Sequence, residues 1–263
     1  MRDILAEIIE KKRAVVEEAK KNNSLDKIKA ELNQGTHRMR AVLEKAEFSL
    51  IAECKLNSPA KGRLSTGYDV TQLAKIFSET GAAMLSVHTD SHFLGRNEDI
   101  PAVKKVTGLP VMRKDFIIDE YQIYEARWLG ADAVLLIARI LTGKQLKDFL
   151  EVVHNLGMDA LIEVHDEADV DKALASNGRF IGINNRNLKT FATSIENTLE
   201  LLPYIERNNT QADRILISES GIHDGSDTEK LRLAGCRGVL VGEGLVVAED
   251  IGGMTKEIAA AGR

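Results

Sequence analysis

The stretch ADAVLLIARILTGKQLKDFLEVVHNLGMDALIEV (131–164) decides the fold of this 263-residue chain. It opens on an apolar run, Ala133–Ala138, passes through a helical pattern over Thr142–Leu156, halts at Gly157 and enters a second apolar run, Ala160–Val164. Two short runs rich in Val, Ile and Leu flanking one helix predict a βαβ unit, whose strands lie parallel in one sheet. Outward from this unit the pattern recurs. Further runs fall at Ser49–Glu53, Met84–His88, Pro110–Lys114, Phe180–Asn184, Ile215–Ser218 and Gly238–Gly242. Helical patterns at Val70–Thr80, Glu120–Leu129, Glu167–Ala175, Ile195–Glu206 and Asp227–Ala234 lie between them. Several helices end at Gly81, Gly130, Gly157 and Gly235, where a residue without Cβ takes the left-handed conformation that closes a helix. Eight strands alternating with helices predict an α/β fold, a (β/α)8 TIM barrel. The rival is the doubly wound open sheet, but its GxGxxG turn is missing after the first strand.

The length suits a single domain over 1–263, with the barrel in 49–263 and an N-terminal helical extension in 1–48. That extension shows two helical patterns, Ile4–Lys21 and Leu25–Leu32, joined by an Asn-Asn-Ser turn. Such helices either plug the bottom of a barrel or cover its mouth, and the sequence favours neither. Net charge is −5, with 35 Lys and Arg scattered among 40 Asp and Glu. This pattern offers no basic field for nucleic acid and no polybasic membrane surface. No apolar run approaches the ~18 residues of a membrane span. Two Cys, Cys54 and Cys236, without CxxC spacing suit a reducing compartment. The acids in the first helix argue against a transit peptide. A soluble, cytoplasmic protein is expected. Six His occur without HExxH or zinc spacing, so no metal site is expected, and no Walker loop calls for a nucleotide.

Barrel active sites form at the C-terminal ends of the strands. There the first run ends in Glu53 with Lys55 two residues on, the third in Lys114, and the fifth carries Glu163 inside Leu161-Ile162-Glu163-Val164. The sixth ends in Asn184-Asn185-Arg186 and the seventh in Ser218-Glu219-Ser220-Gly221. Strand side chains alternate, so Glu53 and Lys55 share a face while Cys54 points away. A carboxylate and an ammonium held together and partly desolvated serve as base, acid or anion anchor. For any one residue a structural ion pair is the alternative, but so many charges on five strand ends would be a costly network for stability alone. Ser220-Gly221 after the seventh strand and Gly242-Glu243-Gly244 after the eighth, each placed just before a helix, suit a phosphate held by backbone N–H groups. The alternative there is a pair of ordinary βα turns.

These motifs closely resemble indole-3-glycerol-phosphate synthases from about Ser49 to about Leu245. They are IAECKLNSPAKG (51–62), RKDFIIDEYQIYEARWLGADAVLLI (113–137), LIEVHDE (161–167), IGINNRNLKTF (181–191), ISESGI (217–222) and VGEGL (241–245). The resemblance implies tryptophan biosynthesis, a lyase acting on 1-(2-carboxyphenylamino)-1-deoxyribulose 5-phosphate, and no cofactor. It implies Lys114 as the acid of ring closure, Glu163 as its carboxylate partner in proton transfer, and Glu53 and Lys55 as helpers in dehydration. Lys55 would also lie near the substrate carboxylate. Asn184, Arg186 and Ser220 would orient the anionic substrate and the polar network. Ser58, Gly221, Gly242 and Glu243 would serve the phosphate, and Pro59, Phe116, Leu135 and Ile137 would wall the aromatic ring. An apolar wall favours decarboxylation, because it solvates carboxylate poorly. The implied partner is the phosphorylated small molecule. A monomer or weak homo-oligomer is expected, and the resemblance leaves room for other tryptophan-pathway enzymes as partners.

One segment departs from the pattern. After the second run the resembling sequences usually read Ser-Val-Leu-Thr, an aromatic pair and a small-residue end, whereas this chain reads SVHTDSHFLGRNED (86–99). His88 replaces the Leu, Leu94 the second aromatic, and Arg96-Asn97 the small residues. His88 and His92 flank the exit of the second strand, where contact with a substrate is one reading and a surface or loop-capping role the preferred one. Two other functions stay open at this point: a paralogous phosphosugar-binding barrel isomerase or lyase, which would not need both Lys55 and Lys114, and a non-catalytic barrel binding protein.

Overall fold

The computed structural model describes residues 4–58, 61–64, 67–187, 192–209, 211 and 213–262. Eight parallel strands close into a barrel: β1 (Ser49–Cys54), β2 (Met84–His88), β3 (Val111–Lys114), β4 (Ala133–Ile137), β5 (Asp159–Val164), β6 (Phe180–Asn184), β7 (Ile215–Glu219) and β8 (Gly238–Val241). Each pairs with its neighbours in chain order, and β8 closes on β1 through Ser49↔Gly238 to Ala52↔Val241. All eight predicted strands are present, with ends shifted by one residue at most. Alternation assigns two cores. Outward residues such as Leu50, Ala52, Leu85, Val87, Val134 and Leu136 pack against the helices. Inward residues, among them Ile51, Met84, Met112, Leu135, Leu161, Phe180 and Ile217, fill the interior.

The helices begin where short side chains satisfy their first N–H groups. Asp69 with Gln72, Asp119 with Gln122 and Thr142 with Gln145 form reciprocal capping boxes on Val70–Glu79, Glu120–Trp128 and Gly143–Asn155. They end as expected at Gly157, where φ is 68° and the Gly35 backbone packs so close that a Cβ would collide with it. Two barrel helices escaped the sequence reading, Asp99–Val106 and Ile251–Ala261, while the helix expected after β8 is the short Glu243–Val246. An antiparallel ribbon pairing Asn57–Ser58 with Gly62–Arg63 escaped it too.

The extension holds three helices rather than two: α1 (Ile4–Asn22), α2 (Leu25–Glu31) and α3 (Arg38–Lys45). Both readings of its place are realised, by different helices. Met39 and Leu43 of α3 enter the interior cluster from the N-terminal end of the barrel. There the Arg40 N–H donates to Asp159 at the start of β5 (2.9 Å). At the opposite end, Leu5 and Ile8 of α1 line the mouth. Buried Lys12 bridges Asp90 and Asp115, in the loops after β2 and β3, at 2.6 Å each. Among the described residues no helix is long and apolar enough to cross a membrane.

Candidate active site

Where strand ends leave the apolar interior, a cavity of about 640 Å³ opens at the C-terminal face. Its lining includes Glu53, Lys55, Ser58, Lys114, Phe116, Leu135, Ile137, Glu163, Asn184, Arg186, Ser220, Gly221, Gly242 and Glu243. Every site residue expected from the sequence is therefore gathered there except Pro59, which lies outside the described residues.

Lys114 is the hub. As the last residue of β3 its side chain faces inward, with Nζ 2.7 Å from Glu219 Oε2 and 3.2 Å from Glu163 Oε2. Burial works against its charge, but Glu219, Glu163 and Glu53 outweigh burial and hold the ammonium well above the usual lysine range. Two of its three N–H groups are taken by these carboxylates, which leaves one for a ligand. The carboxylates are driven apart. Glu163 is pushed up by burial and more strongly down by Lys114, His165 and a hydrogen bond from Asn184, so it stays ionised. Glu219, at 1% exposure, is pushed up by burial and by Glu163, against the pull of Lys114, to about 7. Among the described residues its Oε1 has no hydrogen-bond partner, and it sits where a side chain at Gly182 would be.

A second cluster stands across the cavity. Glu53 Oε2 lies 3.7 Å from Lys55 Nζ, and Oε1 lies 2.8 Å from His88 Nε2. Burial raises this carboxyl, and Lys55, His88 and Lys114 together hold it below the usual carboxylate range. A Cβ on Gly242 would overlap Glu53 Oε2, so the glycine of β8's end makes room for the carboxylate as well as edging the cavity. Aromatic rings form the adjoining wall: Phe93 stacks on His88 at 4.4 Å, Phe116 lies 6.4 Å from Phe93, and Lys55 Nζ is 5.6 Å above the Phe93 ring.

After β7, Ser220 and Gly221 both take left-handed backbone, with φ of 68° and 70°. The expectation of two helix N-termini at the cavity needs correction. The helix after β7 starts only at Gly225, and the Asp224 side chain already accepts from its Ser226 and Asp227 N–H groups. Only the short Glu243–Val246 helix begins at the cavity. The Glu243 carboxylate is held by Lys61 (2.6 Å), with Arg186 at 3.6 Å. Asn184 Oδ1 accepts from the Arg186 N–H (2.9 Å), fixing the turn after β6.

Three groups at the site went unassigned in the sequence. Glu219 shares the inward parity of Ile215 and Ile217, a signal that was available. His88 is 6% exposed and touches Glu53, so its reading as a surface or capping group is overturned. His92 does cap its loop, with Nδ1 2.7 Å from Asp90 Oδ1. Leu5 and Ile8 of α1 also line the cavity.

A family model described as indole-3-glycerol phosphate synthase matches residues 5–258. An indole-3-glycerol phosphate synthase of Desulforamulus reducens is 41% identical over 263 residues, covering 98% of each chain. One from Carboxydothermus hydrogenoformans is 46% identical over 209 residues, covering 79% of this chain and 78% of that protein. Among solved structures, 3-hexulose-6-phosphate synthase from Salmonella typhimurium superposes with a TM-score of 0.63 at 14% identity, covering 82% of this chain and 98% of its own. Orotidine 5'-phosphate decarboxylase from Pyrococcus horikoshii gives 0.61 at 14% identity, covering 81% and 99%. These structural likenesses bear on the barrel alone. The family match and the two relatives, spanning strands, rim and extension alike, place the sequence without ambiguity: the chain belongs to the indole-3-glycerol phosphate synthase family.

Proposed function

We propose that Lys114, bridging Glu163 and Glu219, is the acid that starts ring closure, and that Glu53 and Lys55 carry the later loss of water. The chain has the family's activity: it converts 1-(2-carboxyphenylamino)-1-deoxyribulose 5-phosphate into indole-3-glycerol phosphate, CO₂ and water in tryptophan biosynthesis. In the first step the ring carbon bearing the carboxyl bonds to the ketone carbon, and the ketone oxygen takes a proton from Lys114. Loss of CO₂ leaves its electron pair to restore the aromatic ring. In the last step the new hydroxyl leaves as water with a proton from a lysine, while Glu53 takes the proton from the adjacent carbon. Solvent supplies the one proton that the loss of CO₂ consumes, and Glu163 relays it to Lys114.

The observation that carries this reading is the placement of Lys114 Nζ within 3.2 Å of both carboxylates at the floor of the cavity. Phe116, Leu135 and Ile137 wall the aromatic ring, and the carboxylate it loses is poorly solvated against them. Ser58, Gly221, Gly242 and the Glu243 backbone take the phosphate, and Asn184, Arg186 and Ser220 orient the substrate. Residues 1–263 act as one unit, because α1 supplies part of the lining. We read the protein as cytoplasmic, in keeping with two buried, unpaired cysteines. We also read it as a monomer or weak homo-oligomer.

The test is a fluorescence assay of indole-glycerol-phosphate formation with Lys114→Ala alongside. Turnover should vanish in a variant that keeps its circular dichroism, because Glu219 already tends to hold a proton and limits the charge left unpaired. Full activity, or an unfolded variant, would defeat the assignment.

A further inference from the structure

The reaction as derived uses Glu53 but not the imidazole that touches it. His88 ends β2 on the inner face, at the one strand-end position where this chain departs from the Leu of the sequences it resembles. Two contacts hold the ring. It stacks on Phe93 with centroids 4.4 Å apart and planes 10° apart, and Nε2 stands 2.8 Å from Glu53 Oε1. The approach is too bent to count as a well-formed hydrogen bond, and among the described residues Glu53 is the acid within ion-pair reach of the buried Nε2. At that separation Nε2 carries a hydrogen, since a nitrogen lone pair would otherwise face an oxygen lone pair. This holds for the Nε2–H tautomer and the imidazolium alike.

We infer that His88 is a positioning residue for the dehydration: by donating Nε2–H to Glu53 Oε1 it leaves Oε2 turned toward Lys55 and the cavity, ionised and ready to take a proton. The inference rests on the reading of Glu53 as the base of that step. A hydrocarbon in place of His88 leaves one oxygen of a buried carboxylate without a donor. The groups facing Glu53 are few: Lys55 beyond its own strand, His88 from β2, Lys114 from β3, Glu219 from β7, and the bare backbone of Gly242 after β8. Burial raises the carboxyl, Lys55, His88 and Lys114 lower it, and loss of one of these partners lets it rise.

The test measures kcat and KM from about pH 3 to 9 for the wild type, His88→Leu, His88→Gln and Glu53→Gln. His88→Leu should lose about tenfold in kcat, the size of one hydrogen bond to a charged group, with KM nearly unchanged. Its acid limb should move to higher pH, because a carboxyl that titrates higher is protonated sooner as pH falls. His88→Gln keeps an N–H donor without a charge and should recover most of kcat, with its limb between the other two. If His88→Leu keeps wild-type kcat and limb while Glu53→Gln is crippled, the role of His88 falls and that of Glu53 stands. If His88→Gln is as poor as His88→Leu, donation is not what the ring provides. If Glu53→Gln turns over normally, the reading of Glu53 falls and takes the inference with it.

Discussion

Replacing Lys12 with Met should unlatch α1 from the barrel mouth without unfolding the barrel. The ammonium is buried and meets Asp90 and Asp115, themselves buried, at 2.6 Å each. Methionine fills similar space but leaves two carboxylates facing nothing of opposite sign along α1. Removing one partner of a buried ion pair costs about 3–5 kcal/mol. The lower end applies here, because Asp115 keeps Arg113 (3.0 Å) and Thr89 (2.8 Å), and Asp90 keeps the His92 N–H (2.9 Å). Against this, α1 retains the burial of Ile8 and Val16, roughly 1.5–3 kcal/mol each, and the Tyr121 hydroxyl, whose one hydrogen lies between the Ala19 carbonyl and that of Asn23 just past the helix. The helix therefore stays docked most of the time but opens about a hundredfold more often, at roughly 1.4 kcal/mol per tenfold.

Hydrogen exchange followed residue by residue is the assay. Amides in the middle of α1 should lose about two orders of magnitude of protection while those of β5 and β6 keep theirs. KM should rise several-fold, since Leu5 and Ile8 line the cavity, while kcat changes little because Lys114 and its carboxylates are untouched. The latch also has a pH window. Asp90 is raised by burial but lowered more by Lys12, so its contribution is present above the ordinary carboxylate range and fades as pH falls through its depressed value. Lys12 is lowered by burial and raised more by Asp115 and Asp90, so its contribution is present below about 10.5 and fades as pH climbs through its elevated value. Unchanged α1 protection, or an equal loss in α1 and the barrel strands, would refute the account of Lys12 as a local latch.

Gly182→Ala should lower kcat by one to two orders of magnitude, the scale on which a displaced group about 1 Å out of place acts, because its Cβ would occupy the site of Glu219 Oε1. Steady-state kinetics checks it, and wild-type kcat would mean that Glu219 has room to move. Glu219→Gln should change how stability depends on pH. The wild-type carboxyl, raised to about 7, contributes stability below its ordinary range that is lost as pH rises through its folded value. Urea unfolding at about pH 5 and pH 8 should thus show the variant gaining on the wild type at the higher pH, and parallel pH dependence would remove the case for a proton on Glu219.

The barrel was legible because apolar runs and helix stops are local. The capping residues Asp69, Asp119 and Thr142 and the stops Gly81, Gly130, Gly157 and Gly235 lie beside the elements they bound. The rim was legible for a related reason: Lys114 and Glu163 interrupt runs that are otherwise apolar. What escaped depends on how separate elements meet. Ile8, Lys12 and Val16 recur every fourth residue and are all buried, so a lysine on an apolar stripe announced a buried partner, but not that Asp90 and Asp115 would supply it. The meeting of His88 with Glu53 is hidden more deeply. The strand register sets Glu53 opposite Ser86, and His88 reaches it only because it stands one inward position further along β2. No pattern within either strand states that stagger; closing the barrel imposes it.

Glycine on the inner face is the nearest thing to a local sign of it. Gly182 beside Glu219 and Gly242 beside Glu53 each leave out a side chain where a neighbouring strand projects a carboxylate. An inward glycine in a barrel strand weakens the strand, so it needs a reason. Here the reason is the space taken by a charged group one strand away. In this chain the positions that carry no side chain and the positions that carry the chemistry are therefore two halves of one arrangement. A substitution at either half should disturb the same proton transfers.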